Sequence, residues 1–87
     1  MRLPRVLIAL AIAGAPLVAS ADEVQLKDVP AAARRTIEQR TSGGKIKEIE
    51  RETERGRTYY EVEFVRDGKE HELRVAPDGS VLHHDRD

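Results

Sequence analysis

From Thr58 to Leu82 apolar and polar residues alternate, and Asp-Gly breaks the alternation twice. The runs read TYYEVEFV, EHELRVA and SVL, separated by Arg66-Asp67-Gly68-Lys69 and by Pro77-Asp78-Gly79. Period-two alternation predicts half-buried strands, and Asp-Gly suits a type I′ turn, whose two central residues need φ > 0. An earlier run, beginning at Ile46, joins them through Arg55-Gly56. The expected strands are 46–54, 58–66, 69–76 and 80–84.

Two-residue turns fix the register of such strands. Phe64 then faces His71, Val62 faces Leu73, Tyr60 faces Val75 and Ile49 faces Val62, all on one side of the sheet. If Asp78-Gly79 is also a two-residue turn, Leu82 faces Val75 on that side. Ile46 falls out of phase with Ile49, which a β-bulge or packing from the preceding loop would explain.

Upstream the apolar spacing changes from two to four, at Val29, Ala33 and Ile37. Pro30 suits the first helical turn, where a missing N–H loses nothing, and Gly43-Gly44 supplies a left-handed stop. A helix over about 30–41 is expected, with one narrow apolar stripe. The fold class is α+β: one N-terminal helix packed on a four-stranded antiparallel sheet, a meander. Strands 46–54 and 80–84 are its edges, open to pairing with a partner or a second copy of the chain. Lys45, Lys47 and Arg51 keep the first edge solvated, and the last edge is shorter and less protected.

The other sheet face is acidic. The same register puts Glu48, Glu63 and Glu72 in one cross-strand row that Asp85 extends, and Glu50, Glu61, Arg74 and His83 in the next. Like charges directly opposite destabilise a sheet, and Arg74, Lys47, Arg51, Arg66 and Lys69 relieve only part of the repulsion.

Residues 1–21 have the form of a secretory signal. Arg2 and Arg5 precede the apolar run Val6–Ala13, Gly14 and Pro16 break it, and Ala19-Ser20-Ala21 is an A-x-A site with cleavage expected before Asp22. The apolar run is shorter than the roughly 20 residues of a spanning helix, so no membrane association is expected after cleavage. With no Cys, a lipoprotein anchor is excluded. The expected division is signal peptide 1–21, flexible lead-in 22–28, domain 29–84 and tail 85–87, located in the periplasm or secreted. The exported part carries more acidic than basic side chains, which argues against a nucleic-acid partner. Only Tyr59, Tyr60 and Phe64 supply aromatic core, so a partner that covers apolar surface would add stability.

The order of these pieces resembles a PepSY domain: Val29-Pro30, Gly43-Gly44, Ile46 and Ile49, Tyr60-Glu61-Val62-Glu63-Phe64, Asp67-Gly68-Lys69, Glu72-Leu73-Arg74-Val75 and Asp78-Gly79-Ser80-Val81-Leu82. The resemblance implies a helix on an antiparallel sheet and a role in binding or inhibiting peptidases outside the cytoplasm. It brings no catalytic motif.

Three kinds of site compete. The acidic face (Glu48, Glu50, Glu61, Glu63, Glu72) can dock a basic surface of an extracytoplasmic protein, a peptidase on the family's terms, or stand as a solvated, soluble face. Divalent cations take carboxylate oxygens, so a cation sensor or buffer using that face and the tail histidines is the alternative. His83, His84 and Asp85 form a ligand-like cluster, but His83 and His84 point to opposite faces of a regular strand; His84 with His71 is the conceivable pair. Ser42 and Ser80 sit at a helix end and a turn, and an open sheet face lacks the desolvated cleft that acid/base chemistry needs. Neither enzymatic activity nor a cofactor is expected.

Overall fold

The structure, a computed structural model, describes residues 20–86; the rest of the expected signal segment and Asp87 lie outside the described residues. Five antiparallel strands run in the order β1-β2-β3-β4-β5: β1 (Ser20–Glu23), β2 (Lys45–Glu54), β3 (Arg57–Arg66), β4 (Lys69–Val75) and β5 (Val81–Arg86). Between β1 and β2 come a 3-10 turn (Leu26–Asp28) and helix α1 (Ala31–Arg40). The class is the expected α+β, with one strand more than the four read from the pattern. The additional strand, β1, carries no alternating signal of its own. It forms because the edge of β2 offers it partners, Ala21 opposite Glu52 and Asp22 opposite Arg51, and Arg51 donates to Asp22 Oδ2 at 2.9 Å. β2 is therefore not the open edge expected of it; β1 and β5 are the outer strands. Residues 22–28, expected as a flexible lead-in, carry the end of β1 and the 3-10 turn, and Val24 and Leu26 pack on the core.

Pro30 stands at the N-cap of α1, and Gly43, at φ 81°, ends the helical run after Thr41, whose hydroxyl donates to Ile37 O at 2.8 Å. The stripe Val29, Ala33, Ile37 lies on Ile49, Tyr60, Val62, Phe64, Leu73 and Val75, and all nine are buried. Each large apolar side chain so buried contributes about 1.5–3 kcal/mol.

The first two hairpins have the expected turns, with Arg55-Gly56 at φ 54° and 78° and Asp67-Gly68 at φ 55° and 75°. Their register is as read: Ile49–Val62, Phe64–His71, Val62–Leu73, Tyr60–Val75. The phase change at Ile46 comes from a bulge at Lys47, between Ile46 opposite Phe64 and Glu48 opposite Glu63.

The third turn differs. Ala76 N–H donates to Ser80 O and Gly79 N–H to Ala76 O, each at 2.9 Å, so the loop is Pro77-Asp78-Gly79, three residues long with Gly79 left-handed at φ 93°. One extra turn residue puts Val81, not Leu82, opposite Val75. Leu82, expected on the core face, is 56 % exposed. It is the extra residue of a second bulge, after which Arg74 meets His83 and Glu72 meets Asp85. Turn and bulge each add one residue, on opposite sides of the ledger of register, and their effects cancel.

Candidate functional site

α1 covers one face of the sheet, and the other carries the acidic rows. Glu48, Glu63, Glu72 and Asp85 stand opposite one another in turn across β2 to β5. The neighbouring row is Glu50, Glu61, Arg74 and His83, and β1 extends it with Glu23 opposite Glu50. All five expected contact residues thus share this face. His83 is there as well, its Nε2 3.4 Å from Asp85 Oδ2. His84 pairs with Leu73 and lies on the helix side, so His83, His84 and Asp85 do not converge on one point. His84 instead meets His71, with Nε2 to Nδ1 at 3.1 Å.

Alternation along β2 continues past Glu50 to Glu52, which the two rows leave out. Glu52 accepts a hydrogen bond from the Tyr59 hydroxyl at 3.0 Å, and Tyr59 stands opposite it in the register. Continuing the Arg55-Gly56 register by one more pair would have placed both. Burial, then the bond to Glu52, pushes the Tyr59 hydroxyl up to about 12.

The rows are held by few cations. Arg74 donates to Glu72 Oε2 at 3.2 Å, and its Nε, buried and without a hydrogen-bond partner, lies 3.6 Å from Glu61 Oε2. Lys47, set free of the ladder by its bulge, reaches Glu70 Oε2 at 3.1 Å.

Glu61 is less exposed than Glu72, its side chain 17 % accessible against 36 %. Hydrogen bonding with Glu72, burial and hydrogen bonding with Glu52 push its carboxyl up to about 8. Hydrogen bonding with Glu61 likewise holds Glu52 and Glu72 below the ordinary carboxylate range. At neutral pH the centre of the face is a protonated acid flanked by two carboxylates. Glu50, Glu52 and Glu61 also bring one oxygen each within 4.8 Å of one another.

The face is broad and open. A hollow at the β3–β5 end is lined by Lys47, Glu63, Phe64, Glu70, His71, Glu72 and Asp85. This geometry presents charge to a surface. No helix among the described residues is long and apolar enough to cross a membrane.

Comparison with protein families matches residues 29–78 to the family described as "Peptidase propeptide and YPEB domain". The matched segment runs from the first core residue of α1's stripe to the third turn, and so includes the helix, β2, β3, β4 and most of the acidic face. Comparisons with curated proteins and with solved structures give no match.

Proposed function

The chain belongs to the PepSY family, and on that premise we propose that it is a non-catalytic extracytoplasmic binding module that regulates a peptidase by contact. Membership in a family described by peptidase propeptides supports this reading. The contact surface is the acidic face, and the observation that carries it is the row Glu48–Glu63–Glu72–Asp85 on four consecutive strands. Like charges facing each other across a sheet cost folding free energy. A basic partner surface offsets that cost on binding and is steered to the face by its field. Glu48, Glu50, Glu61, Glu63 and Glu72 are the contact residues, and the partner is an extracytoplasmic protein, a peptidase, with a positively charged docking surface.

Export by the N-terminal segment is part of the same proposal. Cleavage before Asp22 would remove Ser20 and Ala21 from β1 and leave Asp22 with its ion pair to Arg51; the mass of the exported protein checks the site.

The test is a pull-down from the source cell's periplasm and medium with the native protein and with Glu63→Lys, followed by assay of the retained material for peptidase activity with and without added protein. The reading holds if a peptidase is retained and is lost with Glu63→Lys. It is overturned if the folded native protein retains no peptidase. Equal retention by both proteins removes the acidic face as the contact surface.

A further inference from the structure

On the helix side of the sheet β5 is held by two side chains. Val81 and His84 are part-buried, whereas Leu82, His83, Asp85 and Arg86 are exposed. The His84 imidazole thus stands beside Val81 as the part-buried contact of β5 on this side, in addition to the backbone ladder to β4. It sits in a chain of hydrogen bonds: Arg40 Nη1 lies 3.0 Å from His84 Nδ1, and His84 Nε2 lies 3.1 Å from His71 Nδ1. His71 is buried and stacked on Phe64, ring centroids 4.6 Å apart and planes at 12°.

The chemistry of the donors fixes the protons. A guanidinium only donates, so His84 Nδ1 accepts from Arg40 and the His84 proton is on Nε2. That N–H donates to His71 Nδ1, which leaves the His71 proton on its own Nε2. One neutral tautomer of each ring satisfies the chain. A proton added at His84 Nδ1 meets the N–H of Arg40. It cannot be added while Arg40 and His84 stay in place.

We propose that the His71–His84 pair is an acid-operated latch: protonation of His84 breaks the Arg40–His84–His71 chain and releases β5 from the sheet, opening the edge of β4.

The surrounding charges favour release. Arg40 comes from α1; Arg66, from β3, lies 5.5 Å over the Phe64 ring; Arg86, on β5, stands opposite His71. Asp85 is the nearby counter-charge on β5, but its register places it on the other face, where Lys47, Glu63, Glu70 and Glu72 line the hollow that reaches His71. Burial, then Arg40, His71 and Arg66, hold His84 below the ordinary imidazole value of 6.5, against a smaller pull from Asp85. A depressed folded-state value means that the contribution of this group to stability is complete above 6.5 and is lost as pH falls below it. The same guanidiniums disfavour a metal dication at the two imidazoles.

Amide hydrogen exchange of the full chain at pH 7.5 and pH 5.5, corrected for intrinsic rates, reads the latch directly. The expected result is at least a tenfold loss of protection in β5 at the lower pH, with β2 and β3 unchanged. His84→Leu, which keeps apolar packing and cannot titrate, and His84→Gln, which keeps a neutral hydrogen-bonding group, should each remove the difference between the two pH values. Loss of protection in all strands together, no loss in β5, or persistence of the β5 response in both variants would each overturn the latch.

Discussion

Glu61 and Arg74 stand directly opposite each other on β3 and β4, yet the arginine does not keep the acid ionised. Arg74 Nη2 is 3.2 Å from Glu72, whereas its Nε is 3.6 Å from Glu61, without a hydrogen bond. Attraction to one guanidinium is outweighed by hydrogen bonding with Glu72, then burial, then the neighbouring Glu52. The acidic face thus lowers its own repulsion by holding a proton at its centre.

That proton gives stability a pH dependence. Glu61 titrates at about 8 in the fold against an ordinary 4.5, so the folded state holds a proton that the unfolded chain has released. The contribution is complete below about 4.5 and is lost as pH rises through about 8. Glu61→Gln, neutral at every pH, should match the native protein at pH 5 and exceed it at pH 9 by about 1 kcal/mol, or about 5 °C in Tm. Thermal melts at the two values check this; an equal gain at both would mean that the proton is not the cause. The sign is opposite to that of His84, so the two variants tilt the profile in opposite directions.

Charge reversal at Glu63 should help the fold while it harms docking. Glu63 lies between Glu48 and Glu72, so Glu63→Lys turns two like-charge pairs into two opposite ones, each worth roughly 0.2–1 kcal/mol. Urea denaturation should give a higher midpoint at low salt, with the gain shrinking as salt screens the exposed pairs. A lower midpoint at low salt would contradict the argument that these rows oppose folding.

Gly79 and Gly68 both have positive φ, but their surroundings differ. A Cβ on Gly68 meets nothing, whereas one on Gly79 would lie 2.9 Å from the carbonyl oxygen of Ala32. Gly79 O also accepts from the Thr36 hydroxyl at 2.8 Å, which pins the third turn to α1. Gly68→Ala should cost about 1 kcal/mol from backbone strain, and Gly79→Ala at least twice as much, since the turn must leave the helix. Equal costs in chemical denaturation would remove the packing of turn on helix from the account.

The register of β5 can be read by exchanging two neighbours. Val81 packs against the core and Leu82 does not. Leu82→Gln should change stability by less than about 0.5 kcal/mol, while Val81→Gln should cost well over 1 kcal/mol by placing an amide against apolar side chains. The reverse order would restore the two-residue turn.

Much of this protein was legible along the chain because strand alternation, Asp-Gly turns and the four-residue spacing of α1 are local signals. The Ile49–Val62–Leu73 core row and the Glu48–Glu63–Glu72–Asp85 row both follow from turn length and a period of two. The acidic face could therefore be assigned residue by residue, and Glu52 and Tyr59 were within reach of the same rule. Other features have no local signal. β1 has a sequence that favours no strand and exists because β2 has an edge to complete. The third turn holds a third residue, its Gly79 carbonyl accepting from the Thr36 hydroxyl 43 residues away, and the bulge at Leu82 then restores the pairing. The raised carboxyl of Glu61 and the neutral tautomers of His71 and His84 depend on distances between strands, burial and the direction of donors. Sequence by itself determined which side chains share a face, since backbone geometry enforces that alternation; only the tertiary structure decided which of them share a proton, since that depends on contacts between residues distant along the chain.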